Sequence, residues 1–383
     1  MLTKDGCKRR RARLFAALPD EVEWVVIADP RHVNYFSAFF VNPISFSTCE
    51  RALLVLERRG RATLLADNFT RRAACTEPFV DHDETGRWYD HKTSVQNRDH
   101  FLFKLLKDAT KKLTTASKGR GLLELEWLPV AATQEAGLDT SLQTAKLGSV
   151  IRRLRRRKED DEVALLEQCM QACEAGHAAA LEMVEPEVTE LDVYRAVQSE
   201  AVAAAGRPAI VYGDFRPVNA VVPKRGGLPT TEPLVRGDLL ILDFSVQLDG
   251  YRSDFTNTIA VGPPTEGQQQ LFDTCVAALE AAEKVLAPGT TGAGVYEAAT
   301  RVIEDAGYPA LPHHAGHGLG LGHPEPPILV PESEDVLVAG DVVTIEPGSY
   351  IEGVGGVRVE HNYLITADGY RRLSNHQLSL TRD

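Results

Sequence analysis

The strongest constraint on this chain is a pattern that occurs twice. Pro186, Thr189, Val193, Tyr194 and Ala196 recur as Pro288, Thr291, Val295, Tyr296 and Ala298, each displaced by 102 positions. Both copies run on with helical spacing and reach a Gly-x-Pro-Ala stretch, at 206–209 and 307–310. Each then enters an apolar run that ends on an acid. The runs are Gly237-Asp238-Leu239-Leu240-Ile241-Leu242-Asp243 and Gly340-Asp341-Val342-Val343-Thr344-Ile345-Glu346. A second acid follows in each copy, Asp254 and then Glu360. Self-similarity at a fixed spacing marks a repeated supersecondary unit that buries its apolar face against its copy. The spacing therefore predicts two helix-plus-hairpin halves packed pseudo-symmetrically, with four acids converging near the axis.

The repeat fills only the second half of 383 residues, a length that favours two domains. Residues 1–150 read as one mixed α/β domain, with short apolar strands expected at 23–28, 52–57, 62–66 and 121–125. Residues 151–383 form the second, opening on a helix across 163–183 that is rich in Ala, Leu and Glu. A basic run from Arg152 to Lys158 meets Glu159-Asp160-Asp161-Glu162 at once and reads as a solvated helix start. With a net charge of −12, nucleic acid is not expected as a partner, because phosphate binding needs a basic surface. No apolar run approaches the roughly 18 to 20 residues that span a bilayer. The first residues lack the apolar stretch of a secretory signal. Six scattered cysteines form neither a disulfide framework nor a zinc-ribbon spacing, which points to a reducing cytoplasm.

Asp249-Gly250 is a hairpin turn signal. With those two residues as the loop, Asp243 faces Thr256 and Asp254 faces Ser245. Side chains alternate faces with period two, so Asp243 and Asp254 are diagonal neighbours on one face, roughly 7 to 8 Å apart at the backbone. A cation can fill such a gap, and unpaired carboxylates in apolar strands are costly to bury. The densest chemical stretch, His313-His314-Ala315-Gly316-His317-Gly318-Leu319-Gly320-Leu321-Gly322-His323, holds four of the eleven histidines. One imidazole with four carboxylates is an oxygen-rich donor set, sufficient for two divalent ions.

These motifs resemble the creatinase/prolidase/methionine aminopeptidase superfamily with its pita-bread fold. Asp29-Pro30-Arg31-His32-Val33-Asn34-Tyr35-Phe36-Ser37 looks like the start of a creatinase-type N-terminal domain. Residues 154–162 look like the linker into the catalytic domain. The resemblance covers almost the whole chain and favours the Xaa-Pro peptidase branch, an α/β (α+β) architecture with a pseudo-symmetric catalytic domain. It implies Asp243, Asp254, His317, Glu346 and Glu360 as ligands of two divalent metals, manganese foremost, with cobalt, zinc or iron as alternatives. It implies Glu346 as proton shuttle for a metal-bridged hydroxide, with His323 stabilising the oxyanion and His313 contacting the substrate. Arg358 resembles an arginine that supports the carboxylates. His314 is assigned no role. The implied substrate is a small peptide with proline after the scissile bond, cleaved by a homodimer that engages neither nucleic acid nor membrane.

Three features depart from that family. The stretch before Asp243 reads Val222-Pro223-Lys224-Arg225-Gly226-Gly227, without the histidine expected there. His323 follows His317 one residue sooner than usual. Asn257 stands where an arginine is common. They keep open a second reading, a non-peptidase hydrolase or lyase on the same metal-binding fold. A non-catalytic interaction module is the third reading, and five retained ligands argue against it.

Overall fold

The computed structural model describes residues 1–45, 50–92, 97–116, 120–140 and 146–382. They form two compact units, Met1–Arg155 and Arg156–Asp383. In the first, a five-stranded sheet runs in the order His82–Gly86, Ala62–Asp67, Ala52–Glu57, Val22–Ile27, Arg120–Leu123. The four apolar strands lie within a residue or two of their expected bounds. The edge strand His82–Gly86 was not expected: His-Asp-Glu-Thr-Gly carries no apolar face and is half exposed, so no periodicity announces it. Trp24, Val26, Leu53, Val55 and Leu65 cover one sheet face and pack against Leu102, Phe103 and Leu106 of the helix Arg98–Ala116.

The second unit displays the repeat. The helix Glu190–Ala205 is capped by Thr189, whose hydroxyl accepts from Asp192 N at 3.1 Å. The helix Gly292–Asp305 is capped by Thr291, which accepts from Gly294 N at 3.0 Å. Each helix pairs with a longer one, Asp160–Met183 and Glu266–Glu283 respectively. Gly237 and Gly340 then turn the chain at φ 94° and 98°, a conformation that costs a residue with a side chain. Their N–H groups donate to Val261 O and Ile365 O, both at 2.9 Å. The strands that follow, Leu239–Leu248 and Val342–Ile345, pair antiparallel with Phe255–Ala260 and His361–Ile365. Leu239, Ile241, Val343, Ile345, Val357 and Val359 share one apolar core with Leu271, Cys275 and Leu279.

The basic run that leads into this unit is not simply solvated. Arg156 binds Asp341 through Nε at 3.0 Å and Nη2 at 2.7 Å, and Lys158 Nζ lies 3.0 Å from Glu325 Oε1. Lys158 is buried. A buried cation needs its counter-charge close by; here both acids come from far along the sequence, where local charge pattern cannot show them.

Three imidazoles are buried together in this unit. The ring of His376 lies 4.9 Å from that of His177 and 4.6 Å from that of His361, and it stacks on Phe255 at 4.2 Å. Burial pushes His177 down to about 4. An unfolded histidine titrates near 6.5. Between those values the unfolded chain binds a proton that the folded chain refuses, so stability is complete above pH 6.5 and is lost as pH falls toward 4. Urea unfolding of the metal-free protein should therefore show His177→Phe with a shallower loss of stability from pH 6.5 to 4.5, by up to about 1.4 kcal/mol per pH unit. Parallel slopes for the two proteins would show that His177 does not titrate in this range.

Candidate active site

Asp249 and Gly250 close the first hairpin with φ 48° and 87°, the paired positive values of a tight turn matched to strand twist. Asp243 pairs with Thr256 and Gln247 with Arg252. The register is the same on both sides of Ser253-Asp254, so Asp254 stands across from Ser245 and on the face of Asp243. In the second hairpin Ile345 pairs with His361 and Gly348 with Arg358, which sets Glu346 across from Glu360. Glu360 N donates to Thr256 O at 2.9 Å, and Thr256 Oγ1 donates to Glu360 Oε2 at 2.8 Å. The two hairpins thus meet at their acids.

His317 enters from the short strand Gly316–Gly318. A Cβ on Gly316 would lie 2.0 Å from Thr344 O, so glycine there is what lets the strand approach. His317 Nδ1 donates to Gly318 O at 2.9 Å. That turns Nε2 toward Glu346 Oε1 at 3.3 Å and Asp254 Oδ2 at 3.4 Å. His323, half out in solvent, reaches Asp254 Oδ2 at 2.5 Å. One donor atom each from Asp243, Asp254 and Glu360 lie within 4.8 Å of one another. The same holds for Asp254, His317 and His323, and for His314, His317 and Glu346. All five expected ligands are therefore brought together, with Asp254 and His317 shared between groups.

The arrangement is electrostatically incomplete as protein alone. Glu360 Oε1 is buried without a hydrogen-bond partner among the described residues. Burial and repulsion from Asp254 and Glu346 hold the Glu360 carboxyl far above its ordinary range. Burial lifts Asp243 to about 6, even though Arg358 Nη2 bonds its Oδ2. Asp254 is held low, because bonds from His317 and His323 outweigh its burial. Burial pulls His317 down, but the Asp254 and Glu346 carboxylates carry it up to about 9. An orphaned buried oxygen among crowded acids is what a divalent cation satisfies, and the donor set fits one.

His313 touches none of the acids. Its Nδ1 donates to His314 O at 2.7 Å. Its Nε2 lies 3.1 Å from Tyr350 Oη, which accepts from Arg358 Nη1 at 2.8 Å. Burial pushes the His313 imidazole down to about 4, so near neutral pH it is uncharged and Tyr350 donates to it. The sequence reading passed over Tyr350. The pleat contains the signal: Gly348 pairs with Arg358, and Tyr350, two residues on, shares that face. His314, to which the sequence assigns no role, places its Nδ1 3.8 Å from Glu346 Oε1. Lys224, in the stretch lacking the expected histidine, places Nζ 5.1 Å from the centroid of the Tyr350 ring.

A pseudo-symmetric pair of hairpins that collects carboxylates and imidazoles around a cation-shaped gap defines a pita-bread metallohydrolase. Residues 164–367 match metallopeptidase family M24, and the chain belongs to that family. It is 34% identical over 244 residues to an Xaa-Pro dipeptidase of Pyrococcus horikoshii, covering 61% of this chain and 67% of that protein. Its fold is that of an Xaa-Pro dipeptidase from Bacillus anthracis, with a TM-score of 0.75, 22% identity and coverage of 98% and 99% of the two chains. The dipeptidase PepE from Mycobacterium ulcerans gives a TM-score of 0.74 at 25% identity, with 99% and 98% covered.

Two outcomes are expected of metal binding. His317 must lose its proton to ligate, so uptake at pH 8 should release protons. Calorimetry in two buffers of different ionisation enthalpy reads this as different apparent heats; equal heats would contradict it. Thr256→Val removes the hydroxyl that orients Glu360 and should weaken affinity about 10- to 100-fold, measured by the same titration.

Proposed function

We propose that this protein cleaves Xaa-Pro bonds in small peptides, using two divalent ions bound by Asp243, Asp254, His317, Glu346 and Glu360. The observation that carries the reading is the unpartnered, buried Glu360 oxygen at the meeting point of the two hairpins. The Xaa-Pro dipeptidase from Pyrococcus horikoshii supports the substrate class. We propose manganese as the metal, because carboxylate oxygens dominate the donors. Residues 1–150 are proposed as the creatinase/prolidase-like N-terminal domain and 151–383 as the catalytic domain. A cytoplasmic homodimer completes the proposal. No disulfide joins the described cysteines, in keeping with a reducing compartment, and no described helix is long and apolar enough to cross a membrane.

Divalent ions in that cage would supply Lewis-acid polarisation of the scissile carbonyl and an acidified water. The chain's own groups do the rest. Glu346, held by Thr344 Oγ1 at 3.3 Å, is placed to accept the proton of the attacking water and return it to the leaving nitrogen. His323, at the open side of Asp254, is placed to donate to a developing oxyanion. Arg358 fixes Asp243 and, through Tyr350, orients His313 toward the substrate side.

The hydrolase-or-lyase alternative rests on Lys224, a cation near Tyr350 where a proline peptidase is expected to present a histidine. A lysine carries charge at neutral pH and cannot cycle a proton there as readily. Chelation should abolish hydrolysis of Xaa-Pro dipeptides or longer Xaa-Pro-Yaa peptides, and added manganese should restore it. Asp254→Ala should lose both metal and at least about 1,000-fold of activity. Two tightly bound ions with no cleavage of any peptide in the panel would transfer the site to the alternative chemistry.

A further inference from the structure

His313 and His314 are adjacent, yet their side chains are differently placed. Both ring nitrogens of His313 are engaged, one by a carbonyl and one by Tyr350. Neither ring nitrogen of His314 has a hydrogen-bond partner among the described residues. Its ring lies nearly parallel to that of His317, with centroids 5.3 Å apart and an interplanar angle of 21°. Its Nδ1 is 3.8 Å from Glu346 Oε1, and His317 Nε2 is 3.3 Å from the same oxygen. Ligands held at about 2.1 Å from one ion stand roughly 3 to 4 Å apart from each other. The buried cluster of Asp29, His32 and Glu124 in the first unit provides a contrast. There, His32 is occupied on one side by Glu124 and on the other by Arg155 Nη1 at 3.2 Å, which leaves nothing for a cation.

We propose that His314 is an additional nitrogen ligand of the ion held by His317 and Glu346. This rests on the metal-binding part of the function proposed above. It makes the two positions chemically unequal. Asp243, Asp254 and Glu360 offer only oxygen to one ion, which suits a hard cation such as manganese. His314 and His317 offer two imidazoles to the other, which suits a borderline cation such as zinc or cobalt.

Cobalt(II) titration of the full-length protein tests this, with visible absorption and calorimetry as readouts that do not depend on catalysis. The wild-type protein should bind two ions with distinct affinities and distinct bands. His314→Gln and His314→Ala should each lose or shift one set of bands and weaken one affinity about tenfold or more, leaving the other ion unchanged. Circular dichroism confirms that each variant is folded, and the glutamine variant, closer in volume to histidine, serves if the alanine variant is not. Superimposable spectra and equal affinities for wild type and His314→Gln would overturn the proposal and leave the proposed function standing. Two ions bound in the expected manner, with no Xaa-Pro peptide cleaved, would overturn the function and leave His314 as a ligand. A wild-type protein that binds no cobalt would overturn both.

Discussion

The catalytic unit depends on a two-way contact between Thr256 and Glu360. The threonine carbonyl accepts from the glutamate N–H, and the threonine hydroxyl donates to the glutamate side chain. Thr256 is also the strand partner of Asp243, and Glu360 adjoins the strand that pairs with Val342–Ile345. One residue pair therefore joins the backbones of both hairpins and positions two of the acids. Such a seam tolerates little change, because a shifted register would turn the acids to the opposite face of the sheet.

Gathering so many carboxylates in a buried place is unfavourable in itself, and the surroundings show how it is offset. Arg358 neutralises Asp243, while His317 and His323 flank Asp254. Glu360 receives only a hydroxyl. The acids are thus held together at a cost in stability that a bound cation would relieve.

Much of this was legible in the sequence because it follows from period and turn chemistry. Asp249-Gly250 fixes the register of the first hairpin, and the 102-residue offset relates its acid-ending strand to the second. The convergence of the four acids required only that both copies fold alike; His317 as a fifth ligand was implied by the family resemblance, since it has no counterpart in the first copy. What stayed hidden depends on packing across distance. Lys158 finds Glu325, and Arg156 finds Asp341, over more than a hundred positions of chain. His177, His361 and His376 meet in the core from three separate segments. Tyr350 was within reach of a pleat argument from Arg358. The different surroundings of His313 and His314 required coordinates, since neighbouring residues of one loop carry no periodic signal.

The two hairpins began as matching patterns and end in different surroundings. At the tip of the first, Tyr251 is buried and its hydroxyl donates to Glu162 at 2.8 Å. The second presents Tyr350 and Arg358 beside His313. A peptide has a direction, with an amino end and a carboxyl end. A site with perfect twofold symmetry would accept it equally well either way round. The duplicated hairpins surround the acids with unequal groups, so the fold does not impose that symmetry on its site.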